Sequence, residues 1–136
     1  MSSTEQTLSI IKPDAVERNL QDEIKKNFTE NGFNIIDEKK IHISKNEAEE
    51  FYKVHQSKPF YGELCNYLSS GPIVVMILEK ENAVLENRKL MGATDPVKAE
   101  EGSLRKKYGI SIDKNSVHGS DSLDNAKIEI DFFFKN

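Results

Sequence analysis

Cysteine is almost absent from this chain: Cys65 stands alone among 136 residues, so no internal disulfide can form and a cysteine-based zinc site has no basis. Cys65 itself reads as a small buried residue on a helix. No apolar run approaches the roughly 18 residues of a membrane span, and "MSSTEQTLSIIK" lacks the charged n-region and long apolar h-region of a signal peptide. A cytoplasmic location without a membrane partner is expected. An excess of positive charge is also lacking, since 23 acidic residues outnumber 19 basic ones. The formal net charge of -4 argues against broad nucleic-acid binding, which needs a basic surface, so any anionic ligand must be held by a local basic cluster. With 37% hydrophobic and 31% charged residues, the expectation is one globular domain spanning 1–136.

What is present reads as mixed strand and helix patterns. "TLSIIK" (7–12) alternates and then runs apolar until Pro13 closes it, predicting a buried strand that delivers Lys12 at its end. Leu20, Ile24 and Phe28 recur at helical spacing and Asn31-Gly32 supplies a stop, predicting a helix over about 20–31. "FNIIDEKKIHI" (33–43) predicts a long strand with one wet face; His42, within it, is assigned no role. "SKNE" (44–47) is a capping box that opens a helix with Ala48, Phe51, Tyr52 and His55 on one face. Phe60, Leu64 and Leu68 mark a further short helix ending at "SSG" (69–71), and "PIVVMIL" (72–78) predicts a central strand covered on both faces. "ENAVLENRKLM" (81–91) is a helix with Val84, Arg88 and Met91 on one side; a turn follows, then a short helix over about 103–108 carrying Arg105. "KNSVHGSDSLDN" (114–125) reads as a polar turn into a last helix, with Leu123, Ala126, Ile130 and Phe133 as its apolar stripe and Glu129 on the flank. There are too few strands for a barrel, so the expected class is α+β, helices over a small, largely antiparallel sheet.

Chemistry could rest on His118, one of only three histidines. A neutral imidazole is the best nitrogen nucleophile near neutral pH, provided that a neighbour fixes its tautomer. Asp121, Asp124 and Glu129 are candidates for that task. Equally, a lone histidine here could decorate a loop before a helix cap, and position alone does not decide. Lys12, Tyr52, Arg88, Thr94, Arg105 and Asn115 all fall at element ends. Each donates hydrogen bonds and three are cations, the inventory needed to hold a polyphosphate. Singly, each also has a plain explanation as a strand-end solubiliser, a surface ion pair or amphipathic core. Phe60, between Pro59 and Tyr61, is either core or an exposed ring able to stack on a base. The short nucleotide signatures G-x-x-x-x-G-K-[ST], G-x-G-x-x-G, H-R-D and D-F-G are all missing, so a phosphate site would have to be built from side chains.

"NSVHGSDSL" (115–123) resembles over its whole length the active-site pattern of the nucleoside diphosphate kinases, Asn-x-x-His-Gly-Ser-Asp-Ser and an apolar residue. "TLSIIKPDAV" (7–16), "HQSKPFYGEL" (55–64), "SGPIVVMILE" (70–79), "RKLMGATDP" (88–96), "GSLR" (102–105) and "EIDFFF" (129–134) resemble the family's other blocks in the same order. The resemblance implies a ferredoxin-like α+β sandwich with a four-stranded antiparallel sheet covered by helices. It implies that His118 is the phosphorylated nucleophile, that Glu129 orients its imidazole with help from Ser120, and that Lys12 takes part in both catalysis and binding. Tyr52, Arg88, Thr94, Arg105 and Asn115 would hold phosphates or sugar, Phe60 and Ile112 would sandwich the base, and Asp121 would help to shape the site. The implied reaction moves the γ-phosphate of a triphosphate, chiefly ATP, to a nucleoside diphosphate in two ping-pong steps. Mg²⁺ is the implied cofactor, held mainly by nucleotide phosphates and water with no metal ligands from the protein.

Departures from the family's pattern cluster between 95 and 114. Glu101 and Ser103 stand where Pro and Thr are common, Asp95 where Asn is, and Lys114 where Arg is. Asp95 and Glu101 add negative charge near the implied phosphate site, an expected weakening of affinity. The chain stops soon after its aromatic run, like bacterial members, and the resemblance implies a homo-oligomer built from dimers, a tetramer or a hexamer. Two other readings stay open at this point: a phosphocarrier or regulatory module without nucleotide turnover, and a binding protein whose His118 is structural.

Overall fold

In the computed structural model, which describes residues 4–53, 56–110, 114 and 116–134, strand β1 (Thr4–Ile11) gives way to the short helix α1 (Pro13–Glu17). Proline suits the first helical position because its ring presets φ and its missing N–H would have no partner there. Helix α2 (Gln21–Glu30) follows, and Gly32 turns out of it with φ +86°, a left-handed angle that glycine adopts without strain. Strand β2 (Asn34–Ile41) leads to α3 (Lys45–Phe51), α4 (Tyr61–Leu68), β3 (Ile73–Glu81) and α5 (Ala83–Met91). A 3₁₀ turn at Pro96–Lys98, α6 (Leu104–Tyr108), β4 (Val117–Gly119) and α7 (Leu123–Phe134) complete the order. The capping box that opens α3 is made in full: Ser44 Oγ accepts from Glu47 N–H at 3.1 Å, and Glu47 Oε1 accepts from Ser44 N–H at 2.9 Å.

The four strands form one antiparallel sheet in the order β2-β3-β1-β4, the expected ferredoxin-like arrangement, with β3 and β1 in the middle. Because side chains alternate across a strand, each central strand supplies both faces. Ile11, Val74, Met76, Leu78 and Val117 pack beneath Ile24 and Phe28 of α2 and Met91 of α5. Leu8, Ile10, Ile73 and Val75 pack against Ala48 of α3, Cys65 and Leu68 of α4 and Phe133 of α7. Cys65 is buried as expected.

Three local expectations need correction. Residues 117–119 are not part of a turn: β4 pairs with β1, Ile10 opposite His118, so the histidine stands on a strand at the sheet's margin. β2 does not have one dry face; most of it is exposed, because it is the other edge strand and a bulge between Ile35 and Asp37 leaves Ile36 49% exposed. Leu123 does not join the α7 stripe. It sits in the first turn of the helix and is 47% exposed, on a cleft beside the start of β1, whereas Ala126 and Phe133 are buried. His55, Ile112 and Asn115 lie outside the described residues.

Candidate active site

His118 and Ile10 are cross-strand partners and so share a sheet face, the one covered by α3 and α7. Glu129, on the second turn of α7, projects back toward that strand, and its Oε1 lies 3.0 Å from His118 Nε2. A carboxylate accepts but does not donate, so Nε2 carries the hydrogen and Nδ1 keeps the free lone pair. The same Oε1 accepts a 2.8 Å bond from Ser120 Oγ, which in turn accepts from Leu8 N–H at 3.3 Å. Buried Ser120 thereby ties the carboxylate to the central strand β1. Asp124 lies in the first turn of α7 and is exposed, as an ordinary helix-start carboxylate would be.

Two aromatic rings hem the imidazole from α3. Phe51 meets it edge-on at 5.4 Å between centroids, and Tyr52, the residue that ends the helix, at 6.4 Å. Phe51 is braced from behind by Phe132 and Phe133 of α7. Tyr52 is 5% exposed, and burial first, then the charge of Glu129, pushes its phenol well above the usual range, so it stays a protonated donor. Phe51 was legible in the sequence only as part of an apolar helix face; its position beside Tyr52 on that face is the one signal that could have marked it.

On the other side of β4, Arg105 of α6 donates from Nη1 to Gly92 O at 3.1 Å and from Nη2 to Val117 O at 3.0 Å. One guanidinium thus joins the end of α5 to the strand that carries His118. Burial, together with the like charge of Arg88, lowers the Arg105 pKa to about 10, still cationic at neutral pH. Its Nε is buried without a hydrogen-bond partner among the described residues. Arg88, Thr94 and Arg105 line one cleft of about 310 Å³ together with Gly92 and Leu85. Gly92 closes α5 at φ +83°, and a Cβ there would stand 2.5 Å from Ser103 Oγ, so the cleft's floor admits no side chain. Two of the four departures from the family's pattern serve as caps: Asp95 Oδ1 accepts from Val97 N–H at 3.0 Å, and Ser103 Oγ from Lys106 N–H at 3.3 Å.

Lys12 follows β1, is 5% exposed and has its N–H on Ser116 O at 2.8 Å, one residue before β4 begins. A solubilising lysine would not be buried. Phe60 precedes α4 and is 45% exposed, as a stacking ring would be. The fold therefore brings His118, Ser120, Glu129 and Tyr52 together, and Arg88, Thr94 and Arg105 together, with Arg105 as the link. A roomier cleft of about 630 Å³ lies between the start of β1 and α7, lined by Leu123, Lys127 and Asp131, and holds none of this chemistry.

Known proteins share this sequence and fold. The family model described as nucleoside diphosphate kinase matches residues 5–136. The nucleoside diphosphate kinase of Rhizorhabdus wittichii is 56% identical over 98% of this chain and 95% of its own length, and that of Persephonella marina 53% over 97% and 94%. Among solved structures, the Aquifex aeolicus nucleoside diphosphate kinase superposes with a TM-score of 0.96 at 39% identity, covering 98% of this chain and 97% of that one. The Encephalitozoon cuniculi enzyme gives 0.93 at 36%, covering 97% and 90%. A histidine on a short edge strand, fixed by a carboxylate from the last helix and flanked by a cationic cleft, thus sits in a chain that belongs to the nucleoside diphosphate kinase family.

Proposed function

We propose that this chain, as one catalytic domain over 1–136, transfers the γ-phosphate of a nucleoside triphosphate, chiefly ATP, to a nucleoside diphosphate through phosphohistidine at His118. The observation that carries the reading is the 3.0 Å bond from His118 Nε2 to Glu129, which leaves Nδ1 as the nucleophilic nitrogen. In the first half-reaction the Nδ1 lone pair forms a bond to the γ-phosphorus, the bond from phosphorus to the β,γ-bridging oxygen breaks, and the nucleoside diphosphate leaves with that electron pair. The second half-reaction reverses this with a different diphosphate. A phosphohistidine is a high-energy N–P linkage, so both halves run near equilibrium.

The protein's contribution is position and charge. Arg88, Arg105 and Lys12 would meet the charge spread over the transferring oxygens, with Tyr52, Thr94 and Asn115 as further donors to phosphate or sugar. Phe60 and Ile112 would hold the base by stacking alone, which gives low base selectivity. The divalent cation, Mg²⁺ in this reading, would arrive with the nucleotide and supply positive charge to its phosphates during transfer. Among the described residues no group of three or more acidic, histidine or cysteine side chains converges. No helix among them is long and apolar enough to cross a membrane. We place the protein in the cytoplasm, as a homo-oligomer built from dimers; the position of β2 at the sheet's edge, with Ile36 half-exposed, suits such an assembly.

The test is incubation with γ-labelled ATP and Mg²⁺ followed by a GDP chase. Acid-labile label should form on the wild-type protein, be absent from His118→Ala and move to GTP. Label that forms and stays on the protein would replace this reading with a phosphocarrier, a role the family match does not favour. Absence of label from the wild type would sink both.

A further inference from the structure

Asp14 is a carboxylate outside the proposed transfer chemistry, yet its side chain is only 3% exposed. We propose that Asp14 is a positioning residue: acting through Ser116, it fixes the junction where the end of β1, bearing Lys12, meets the entry to β4, and so aligns the bound nucleotide with His118. The proposal rests on the kinase reading above.

Three donors from three parts of the chain converge on this carboxylate. Ser116 Oγ–H reaches Oδ2 at 2.8 Å, Arg18 Nη2 reaches the same oxygen at 3.1 Å, and the Tyr67 hydroxyl donates to Oδ1. Arg18 also bonds Tyr108 O at 2.6 Å and Ser116 Oγ at 3.2 Å, so the segments on either side of Lys114 are drawn onto α1. Ser116 is held at its other end as well, because its carbonyl accepts Lys12 N–H at 2.8 Å. Beyond that bond, Ile11 pairs with Val117 and Ile10 with His118. The Asp14–Ser116 contact is therefore the side-chain lock on the last backbone bond between Lys12 and the histidine's strand.

Packing alone would not ask for this arrangement. Ser116 is fully buried with φ +74°, a left-handed conformation that costs a side-chain-bearing residue about 1 kcal/mol and glycine almost nothing. Serine is there with a hydroxyl on the carboxylate, which glycine could not supply. The Asp14–Arg18 pair is a weak source of stability, because the Arg18 side chain is 38% exposed and water screens it, whereas the buried carboxylate is held in one geometry by the donors that meet it. The Tyr67 phenol is pushed far above its ordinary range by burial and then by its bond to Asp14, so it remains a donor. His118 lies outside the network: its partners are Glu129 and the rings of α3. Loosening the lock should disturb how a nucleotide is presented and leave the imidazole's own reactivity intact.

Ser116→Gly separates these effects, since glycine accepts the backbone angle while the hydroxyl is lost; Asp14→Asn is the second variant. The rate of His118 phosphorylation is measured with ATP and Mg²⁺, and with phosphoramidate, a small phosphoryl donor that needs no nucleotide grip, alongside the thermal midpoint. Ser116→Gly should keep a near-native midpoint and react with phosphoramidate within about twofold of wild type, while kcat/KM for ATP falls roughly tenfold. Asn should show the same split. Parallel loss with both donors, or no loss with either, overturns the proposal. Wild-type protein that takes phosphoryl groups from neither ATP nor phosphoramidate overturns the kinase reading instead.

Discussion

The two halves of the proposed site are built on opposite plans. On the Nε2 side of His118 the polar bonds are already made: Glu129, Ser120 and the backbone of Leu8 form one chain of hydrogen bonds that leaves only Nδ1 open. Across β4, the cleft of Arg88, Thr94 and Arg105 is open, and Arg105 is desolvated with its Nε lacking a partner among the described residues. Completing the first half in advance fixes one tautomer before substrate arrives. In the proposed reaction the incomplete second half would leave Arg88 and the Nε of Arg105 for phosphate oxygens, where charge-assisted bonds in a partly dry cleft are strongest.

The sharpest way to break the nucleophile half is Glu129→Gln, which keeps shape and removes the pure acceptor. The amide can donate to Nε2, and the ring then protonates Nδ1, the wrong nitrogen. Phosphohistidine formation should fall roughly 10³-fold, by analogy with the tautomer loss in serine proteases when the buried acid becomes an amide. Single-turnover labelling measures this. A loss of less than tenfold would mean that Glu129 does not set the tautomer.

The cleft is tested by a pair of variants that keep positive charge. Arg105 spans two carbonyls, Gly92 O and Val117 O, a geometry a lysine ammonium cannot match; Arg88 is exposed and bonds neither. Arg105→Lys should lower kcat/KM about 10²-fold, near the loss of one transition-state donor, and also lower the thermal midpoint, because two carbonyls lose a fixed partner. Arg88→Lys should stay within about fivefold and leave the midpoint alone. Equal effects from the two would erase the distinction between a structural cation and a ligand-facing one.

What could be read in the sequence follows the same division. Local patterns were legible because their causes are local: the Ser44–Glu47 capping box, the unbroken apolar run of β3 and the His-Gly-Ser-Asp stretch all act within a few residues. β4 was hidden because three residues carry too little alternation to announce a strand, and what makes Val117–Gly119 a strand is its pairing with Ser9–Ile11, more than 100 positions away. The bulge that exposes β2 depends on where that strand ends in the sheet, not on its composition. Phe51 looked like core because its partner His118 comes from elsewhere, and the convergence of Asp14, Arg18, Tyr67 and Ser116 spans separations of 53 and 102 residues that no periodicity records.

The smallest expected effect concerns the charge beside the cleft. Asp95 follows Thr94, and its Oδ1 caps the 3₁₀ turn through Val97 N–H at 3.0 Å. Asparagine caps as well as aspartate, so Asp95→Asn removes one negative charge and keeps the turn. A partly exposed charge near, but not in, an anion site acts through screened Coulomb repulsion, and the Debye length of about 8 Å at physiological salt limits it. KM for ATP with Mg²⁺ should fall about twofold at low ionic strength, the difference should vanish in high salt, and the thermal midpoint should hold. A difference that persists in high salt would show that Asp95 acts through the shape of the loop, and would move it from the charge of the open half to its architecture.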